Sequence, residues 1–94
     1  MTAAQSAKLV GVSKALADSN RLDILRLLAH QPGPICACDI VEHLSLGQPT
    51  VSHHLKILKD VALLRARRDG LWMFYSIDPK AAAPLKELAR VLDG

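Results

Sequence analysis

Aromatic side chains are nearly missing from this 94-residue chain, which has one Trp, one Phe and one Tyr, at Trp72, Phe74 and Tyr75. An aromatic core is therefore excluded, and the interior must be built from Leu, Val, Ile and Ala. Long apolar runs are missing too. The longest, Leu71 to Tyr75, falls far short of the ~20 residues a membrane-spanning helix needs. The first residues, Met1-Thr2-Ala3-Ala4-Gln5-Ser6-Ala7-Lys8, lack the basic stretch and apolar run of a secretory signal, so a cytoplasmic location is expected. In that compartment the only two cysteines, Cys36 and Cys38, stay reduced, which argues against a disulfide framework. The sequence has no phosphate loop and no acid/base pair. No histidine or basic residue adjoins the cysteines to lower their pKa. An enzyme is not expected.

What is present is a small, aliphatic, mildly basic chain. At this length it is one domain, residues 1–94, and small domains bury a reduced share of their surface. Its richness in Leu and Ala suggests a core extended by dimerisation. The net charge of +3 comes entirely from one half. Residues 1–48 hold four Lys/Arg and four Asp/Glu, whereas residues 49–94 hold eight and five. A basic excess confined to one region points to a polyanionic partner.

Hydrophobic spacing predicts a helix over residues 3–17, with Leu9, Val12 and Leu16 on one face. Asp18-Ser19-Asn20 supplies a break and an N-cap. Leu22, Leu25, Leu28 and Ala29 form the expected stripe of a second helix, and Gln31-Pro32-Gly33-Pro34 stops it. A third helix is expected from between Cys36 and Asp39 to Leu44. After the turn Ser45-Leu46-Gly47-Gln48, a fourth runs from Pro49, well placed in a first turn, to about Asp60. Val51, Leu55 and Leu58 face its core side. Leu64 to Arg68 and Leu71 to Ile77 read as strands around Asp69-Gly70, a strong hairpin signal. A last helix covers residues 81–92, with Leu85, Leu88, Ala89 and Leu92 on one face.

The order α-α-α-α-β-β-α is mainly α with a β-hairpin. A helix-turn-helix at about 36–60 followed by a hairpin wing at about 64–77 is a winged helix-turn-helix. Such proteins lay the second helix of the motif in the major groove, where each base pair shows a distinct donor and acceptor pattern. Gln48, Thr50, Ser52 and His53 are the polar side chains on the outer face of the fourth helix, suited to base edges or phosphates of double-stranded DNA. Lys56 and Lys59, farther along, suit phosphates. Arg65, Arg67 and Arg68 precede the hairpin tip, and Arg67 and Arg68 are placed to reach phosphates or a minor groove. A charged edge strand would call for the same arginines simply to deter aggregation. Trp72, Phe74 and Tyr75 are expected to pack the hairpin onto the helices.

Three stretches resemble the arsenical-resistance repressor family, also called ArsR/SmtB. They are Leu16-Ala17-Asp18-Ser19-Asn20-Arg21-Leu22-Asp23-Ile24-Leu25, Gln48-Pro49-Thr50-Val51-Ser52-His53-His54-Leu55-Lys56-Ile57-Leu58, and Arg68-Asp69-Gly70-Leu71-Trp72-Met73-Phe74-Tyr75. They look like that family's second-helix signature, recognition helix and wing. The resemblance implies a homodimeric repressor that leaves its operator when a metal or metalloid binds. It also implies DNA contacts from Gln48, Ser52 and His53, and a dimer interface formed by helices at about 3–17 and 81–92. Cys36-Ala37-Cys38-Asp39 is similar to the Cys-Val-Cys-Asp motif of the arsenic- and antimony-sensing branch. Where that branch carries a third cysteine, this chain has Val41. The zinc-sensing branch uses His and carboxylate ligands on the last helix, which has no His here.

Thiolates select soft ions, which makes Cys36 and Cys38 the candidate ligands of arsenite, antimonite or another soft metal ion acting as inducer. No obligatory cofactor is expected. Residues two apart in a helix point about 200° apart, so the ion either binds before the third helix begins or unwinds its first turn. A hydroxide, a free thiol such as glutathione, or a nearby carboxylate would complete the site. Three other readings stand beside this one. The cysteines are small core residues; they are a redox switch; or they bind zinc, cadmium or lead with His43 or Glu42 as a further ligand.

Overall fold

The computed structural model describes residues 1–94. It contains α1 (Ala3–Leu16), α2 (Ser19–Ala29), β1 (Ile35–Cys36), α3 (Ala37–Leu44), α4 (Gln48–Asp60), β2 (Leu64–Asp69), β3 (Trp72–Ile77) and α5 (Ala83–Leu92). Each expected helix is present, with α5 beginning two residues later than its spacing suggested. One element was not anticipated. Ile35 and Cys36 pair antiparallel with Tyr75 and Phe74, making the hairpin a three-stranded sheet in the order β1-β3-β2. Two residues are too short for a period-2 signal to register, so only the partner strand reveals β1.

The core is aliphatic. Val12 and Ala15 of α1, Ile24 and Leu28 of α2, Ile40 of α3, and Val51, Leu55 and Leu58 of α4 meet Leu63 and Leu64 at the start of the wing. The α2 stripe differs from its expected form. Ile24 and Leu28, at i and i+4, are the buried pair, while Leu22 is half exposed. Leu22 lies two residues before Ile24 and so points to nearly the opposite side of the helix. Only 12 of 94 residues are buried and none of them lies in α5, a small core for a domain of this length.

Local chemistry fixes the element ends. Thr2 and Gln5 form a reciprocal capping box at α1. Asp18 caps α2 by accepting from the N–H groups of Asn20 and Arg21, at 2.9 and 3.1 Å. After α4 the N–H groups of Ala62 and Leu63 donate to the carbonyls of Lys59 and Leu58. Ala62 there takes a left-handed φ of 60° and turns the chain into β2. In the wing, β2 runs through Asp69, which pairs with Trp72. The two-residue loop is therefore Gly70-Leu71, one residue later than the Asp69-Gly70 turn expected from sequence. Gly70, with φ +62°, is the residue that supplies the positive φ this tight loop requires.

The α2 cap makes stability pH-dependent. The main-chain N–H of Arg21 holds the Asp18 carboxyl below its ordinary value of 3.8, helped by the charge of the Arg21 guanidinium. A depressed folded pKa gives stability that is present above the ordinary carboxylate range and lost as pH falls through the lower folded value. Asp18→Asn keeps an acceptor for the two N–H groups but cannot titrate. Acid titration followed by circular dichroism should show a shallower loss of stability below pH 4 in that variant. An unchanged slope would remove Asp18 from the acid response.

Candidate effector and nucleic-acid site

The cysteine pair sits where a strand becomes a helix. Cys36 ends β1 opposite Phe74. Its backbone is extended (φ −62°, ψ 141°), and it is the N-cap of α3 without a side-chain capping bond. Cys38 is the second residue of that helix. The angular conflict foreseen for two helical cysteines therefore does not arise, because Cys36 precedes the helix. Both side chains border one open cleft of about 400 Å³, shared with Ala37, Val41, Gln48, Ser52, Leu71, Trp72, Met73 and Tyr75. Cys36 is buried and Cys38 exposed.

Hydrogen bonding with the Cys36 thiol pushes the Cys38 thiol above its ordinary value of 9.0, and the Asp39 carboxylate pushes the same way. A raised pKa leaves little thiolate at neutral pH, and thiolate is the form that performs disulfide exchange. The donor set stops at two. No group of three His, Cys, Asp or Glu side chains is arranged to hold an ion, although Cys36 borders a second cleft with Asp39 and His43. Val41 presents only apolar surface to the cleft. Two thiols can supply two of the three bonds of a trivalent thiophilic centre.

The fourth helix presents its polar side chains as expected. Gln48, Thr50, Ser52, His53 and Lys56 are exposed, while Val51, Leu55 and Leu58 face inward. Gly47 is its N-cap and makes no side-chain cap bond, with Pro49 in the first turn. The first free N–H groups of α4 thus remain open to an anion. Lys56 is held to Asp60 at 2.7 Å across one helical turn. In the wing, Arg65 lies 3.8 Å from Asp78, Arg67 stacks over the Phe74 ring at 5.9 Å, and Arg68 is exposed without an ion pair. Tyr75 packs against the core. Trp72 does not; it is 57 % exposed, pairing with Asp69 at the tip of the hairpin and lining the open cleft with Val41 and Gln48.

A polar clasp behind α4 was not foreseen. The Arg21 guanidinium donates through Nε to the Ala15 carbonyl (2.6 Å) and through Nη1 to His54 Nδ1 (3.2 Å), with Nη2 reaching the Lys14 carbonyl at 3.4 Å. Asp18 lies 4.0 Å away. A guanidinium can only donate, so Nδ1 of His54 is the acceptor. His54 is buried at 8 % exposure, and through it one side chain joins α1, α2 and α4. Both residues fall within the familiar sequence stretches, but their separation of 33 positions hides the pairing.

Most of the chain matches known regulators. The model for a bacterial regulatory protein family, arsR, covers residues 18–65. An uncharacterised HTH-type transcriptional regulator of Methanocaldococcus jannaschii is 42% identical over 92% of each chain. An arsenical resistance operon repressor of Staphylococcus aureus is 46% identical over 71% of this chain, a match that spans 62% of the repressor's own length. Among solved structures, a homodimeric winged helix-turn-helix DNA-binding domain of Mycobacterium bovis superposes with a TM-score of 0.77 at 35% identity, covering 97% of this chain and 82% of that one. With its helix-turn-helix, its wing and this degree of identity, the chain belongs to the arsR family of bacterial regulatory proteins and is a transcription regulator, not an enzyme.

Proposed function

We propose that the protein is a homodimeric, cytoplasmic repressor that holds operator DNA through α4 and the wing and releases it when arsenite or antimonite binds Cys36 and Cys38. The observation that carries this reading is the shared cleft. Its wall contains both thiols and two outer-face residues of α4, Gln48 and Ser52. In binding, two As–OH bonds are exchanged for two As–S bonds, and the thiol protons leave with the hydroxides as two waters. The third arsenic position keeps a hydroxide or takes a free thiol. Joining Cys36 of β1 to Cys38 of α3 fixes the junction that sets the tilt of α3, which packs on α4. A ligand that favours a tilt unsuited to the groove lowers DNA affinity by linkage.

Fluorescence anisotropy with a labelled operator tests this. Arsenite should weaken binding about 5- to 150-fold, the usual range of such couplings. Cys36→Ser and Cys38→Ser should bind DNA normally and ignore arsenite. Unchanged affinity at saturating arsenite, with the thiols reduced, sinks the reading. The runner-up reading, a regulator of this fold sensing cadmium, zinc or lead or thiol oxidation, would show the same cysteine dependence with those inducers instead. A two-thiol site favours the trivalent metalloid over a divalent ion that takes four ligands.

On the DNA side, Gln48, Thr50, Ser52 and His53 read the major groove, while Lys56, Arg67 and Arg68 hold phosphates. Gln48→Ala should cost about 1–3 kcal/mol at one base position and relax preference there. Arg68→Ala should weaken all sequences alike and lower the salt slope by about one. Binding over a series of operator variants and salt concentrations separates the two effects. Equal loss on every sequence for Gln48→Ala would take base reading away from it.

A further inference from the structure

We propose that the tip of the wing enters the minor groove beside the α4 site as an apolar wedge, and that Leu71 there selects a flexible base step without hydrogen bonding to any base. This rests on the reading of α4 and the wing as the DNA face and adds a specificity residue to it. Leu71 is 92% exposed and Trp72, beside it, 57%. Between Leu22 and Leu85 they are the only large hydrophobic side chains left open to water. Leu71 sits in the two-residue loop between Asp69, which ends β2, and Trp72, which begins β3. Gly70 takes the positive φ of that loop and Leu71 does not. The leucine is therefore held without strain at a fixed place, and little ordering entropy is lost when it docks. It shares the wall of the open cleft with Gln48 and Ser52 of α4, which makes the tip continuous with the reading face.

Charge decides what kind of contact the tip makes. Arg67 and Arg68 lie back along β2, both exposed, and suit the phosphates that border a groove. The tip itself, Asp69-Gly70-Leu71, has one carboxylate and no cation. A carboxylate is repelled by phosphate, so the tip's own attraction to DNA is apolar. The strands of a hairpin run about 4.8 Å apart and the minor groove is about 6 Å wide, so a hairpin with its side chains fits only where the groove opens. Apolar side chains open it by wedging between base pairs and partly unstacking them. Pyrimidine–purine steps such as TA unstack readily, whereas A-tracts are stiff, narrow and strongly negative. Docking of Leu71 therefore costs least at TA, and Asp69 adds a penalty at an A-tract. Both sequences are A·T and show the same acceptors in the minor groove, so the preference is one of shape and deformability, not of hydrogen bonding.

The probe is the tightest-binding duplex that the full chain selects from random-sequence DNA, and binding is read by fluorescence anisotropy. Each step flanking the two half-sites is set in turn to TA or to AA, with the rest unchanged. At one step on each side the unaltered chain should bind TA about fivefold or more tighter than AA. Leu71→Ala should weaken binding to the TA duplex by about tenfold and bring TA and AA within about twofold of each other. Its salt slope should stay that of the unaltered chain, because no phosphate contact is lost, whereas Arg68→Ala lowers that slope. Leu71→Met should keep the TA preference, and Leu71→Lys should steepen the slope without restoring it. The side chain is almost wholly in water, so these changes leave the core intact. Equal binding of TA and AA by the unaltered chain, a preference that survives Leu71→Ala, or a Leu71→Ala loss that comes with a lower salt slope overturns this inference alone. So does a change in the mass of the DNA-free protein with Leu71→Ala in sedimentation, which would give the tip to a second copy of the chain. If Gln48→Ala and Arg68→Ala also leave affinity unchanged, the reading of α4 and the wing as the DNA face falls with it.

Discussion

Replacing Leu85 and Leu92 together by glutamate is expected to convert the protein to a monomer and to lower operator affinity by about 10²- to 10⁴-fold. Seven residues apart, they share one face of α5 with Leu88. They are 40% and 74% exposed, and α5 buries no residue within its own chain although it packs beside α1. Val10 on α1 is exposed too, at 54%. A helix with so much apolar surface open, in a chain with a core of this size, gains stability when a second copy covers it. The proposed dimer would present two reading helices to two half-sites, and joining two binding events multiplies affinity by that range without new contacts. Sedimentation should show the change in mass, while circular dichroism stays near native because both positions face solvent in the single chain. A variant that remains dimeric would move the interface away from α5. One that becomes monomeric yet binds the operator as before would detach dimerisation from DNA recognition.

Much of the architecture was legible because each helix carries its own start, stop and stripe. The Asp18 cap, Gln31-Pro32-Gly33-Pro34 and Gly47-Gln48-Pro49 all act within one turn of themselves, so the order of residues is enough. The outer face of α4 was legible for the same reason, since Val51, Leu55 and Leu58 define the inner face by period alone. What escaped depends on partners distant in sequence. Cys36 reads as the start of a helix until Phe74 of β3 is found opposite it, and that pairing is what lets both thiols meet an intact α3. Trp72 was expected to pack the hairpin; its place at the tip, lining the open cleft, follows from the register with Asp69, and register depends on where the two-residue loop falls. The burial of Ile24 in preference to Leu22 is decided by which side of α2 faces its neighbours, a choice two competing stripes leave open.

Arg21→Ala should be the most damaging single polar substitution, costing about 2–4 kcal/mol. The side chain is 14% exposed and its removal strands the Ala15 carbonyl and the buried His54 Nδ1 together, while Asp18 keeps its two backbone N–H donors. Each orphaned buried group costs about 1–3 kcal/mol, with charge-assisted bonds at the upper end, and partial access of water keeps the sum below two full penalties. For a domain of this size the melting temperature should fall by roughly 10–25 °C at matched protein concentration. Arg21→Lys should rescue little, because one ammonium cannot reproduce a planar fork that reaches α1 and α4 in different directions. His54→Ala removes one acceptor only and should cost less. A double-mutant cycle between positions 21 and 54 should then show a coupling of about 0.5–3 kcal/mol. A loss below 0.5 kcal/mol for Arg21→Ala would mean that aliphatic packing alone holds α4 in place. The expected result gives Arg21 a second role, since α1 and α4 are joined through one guanidinium. In the proposed dimer built on α1 and α5, the Arg21–His54 bond adds a polar link to the aliphatic packing that joins the interface to the reading helix.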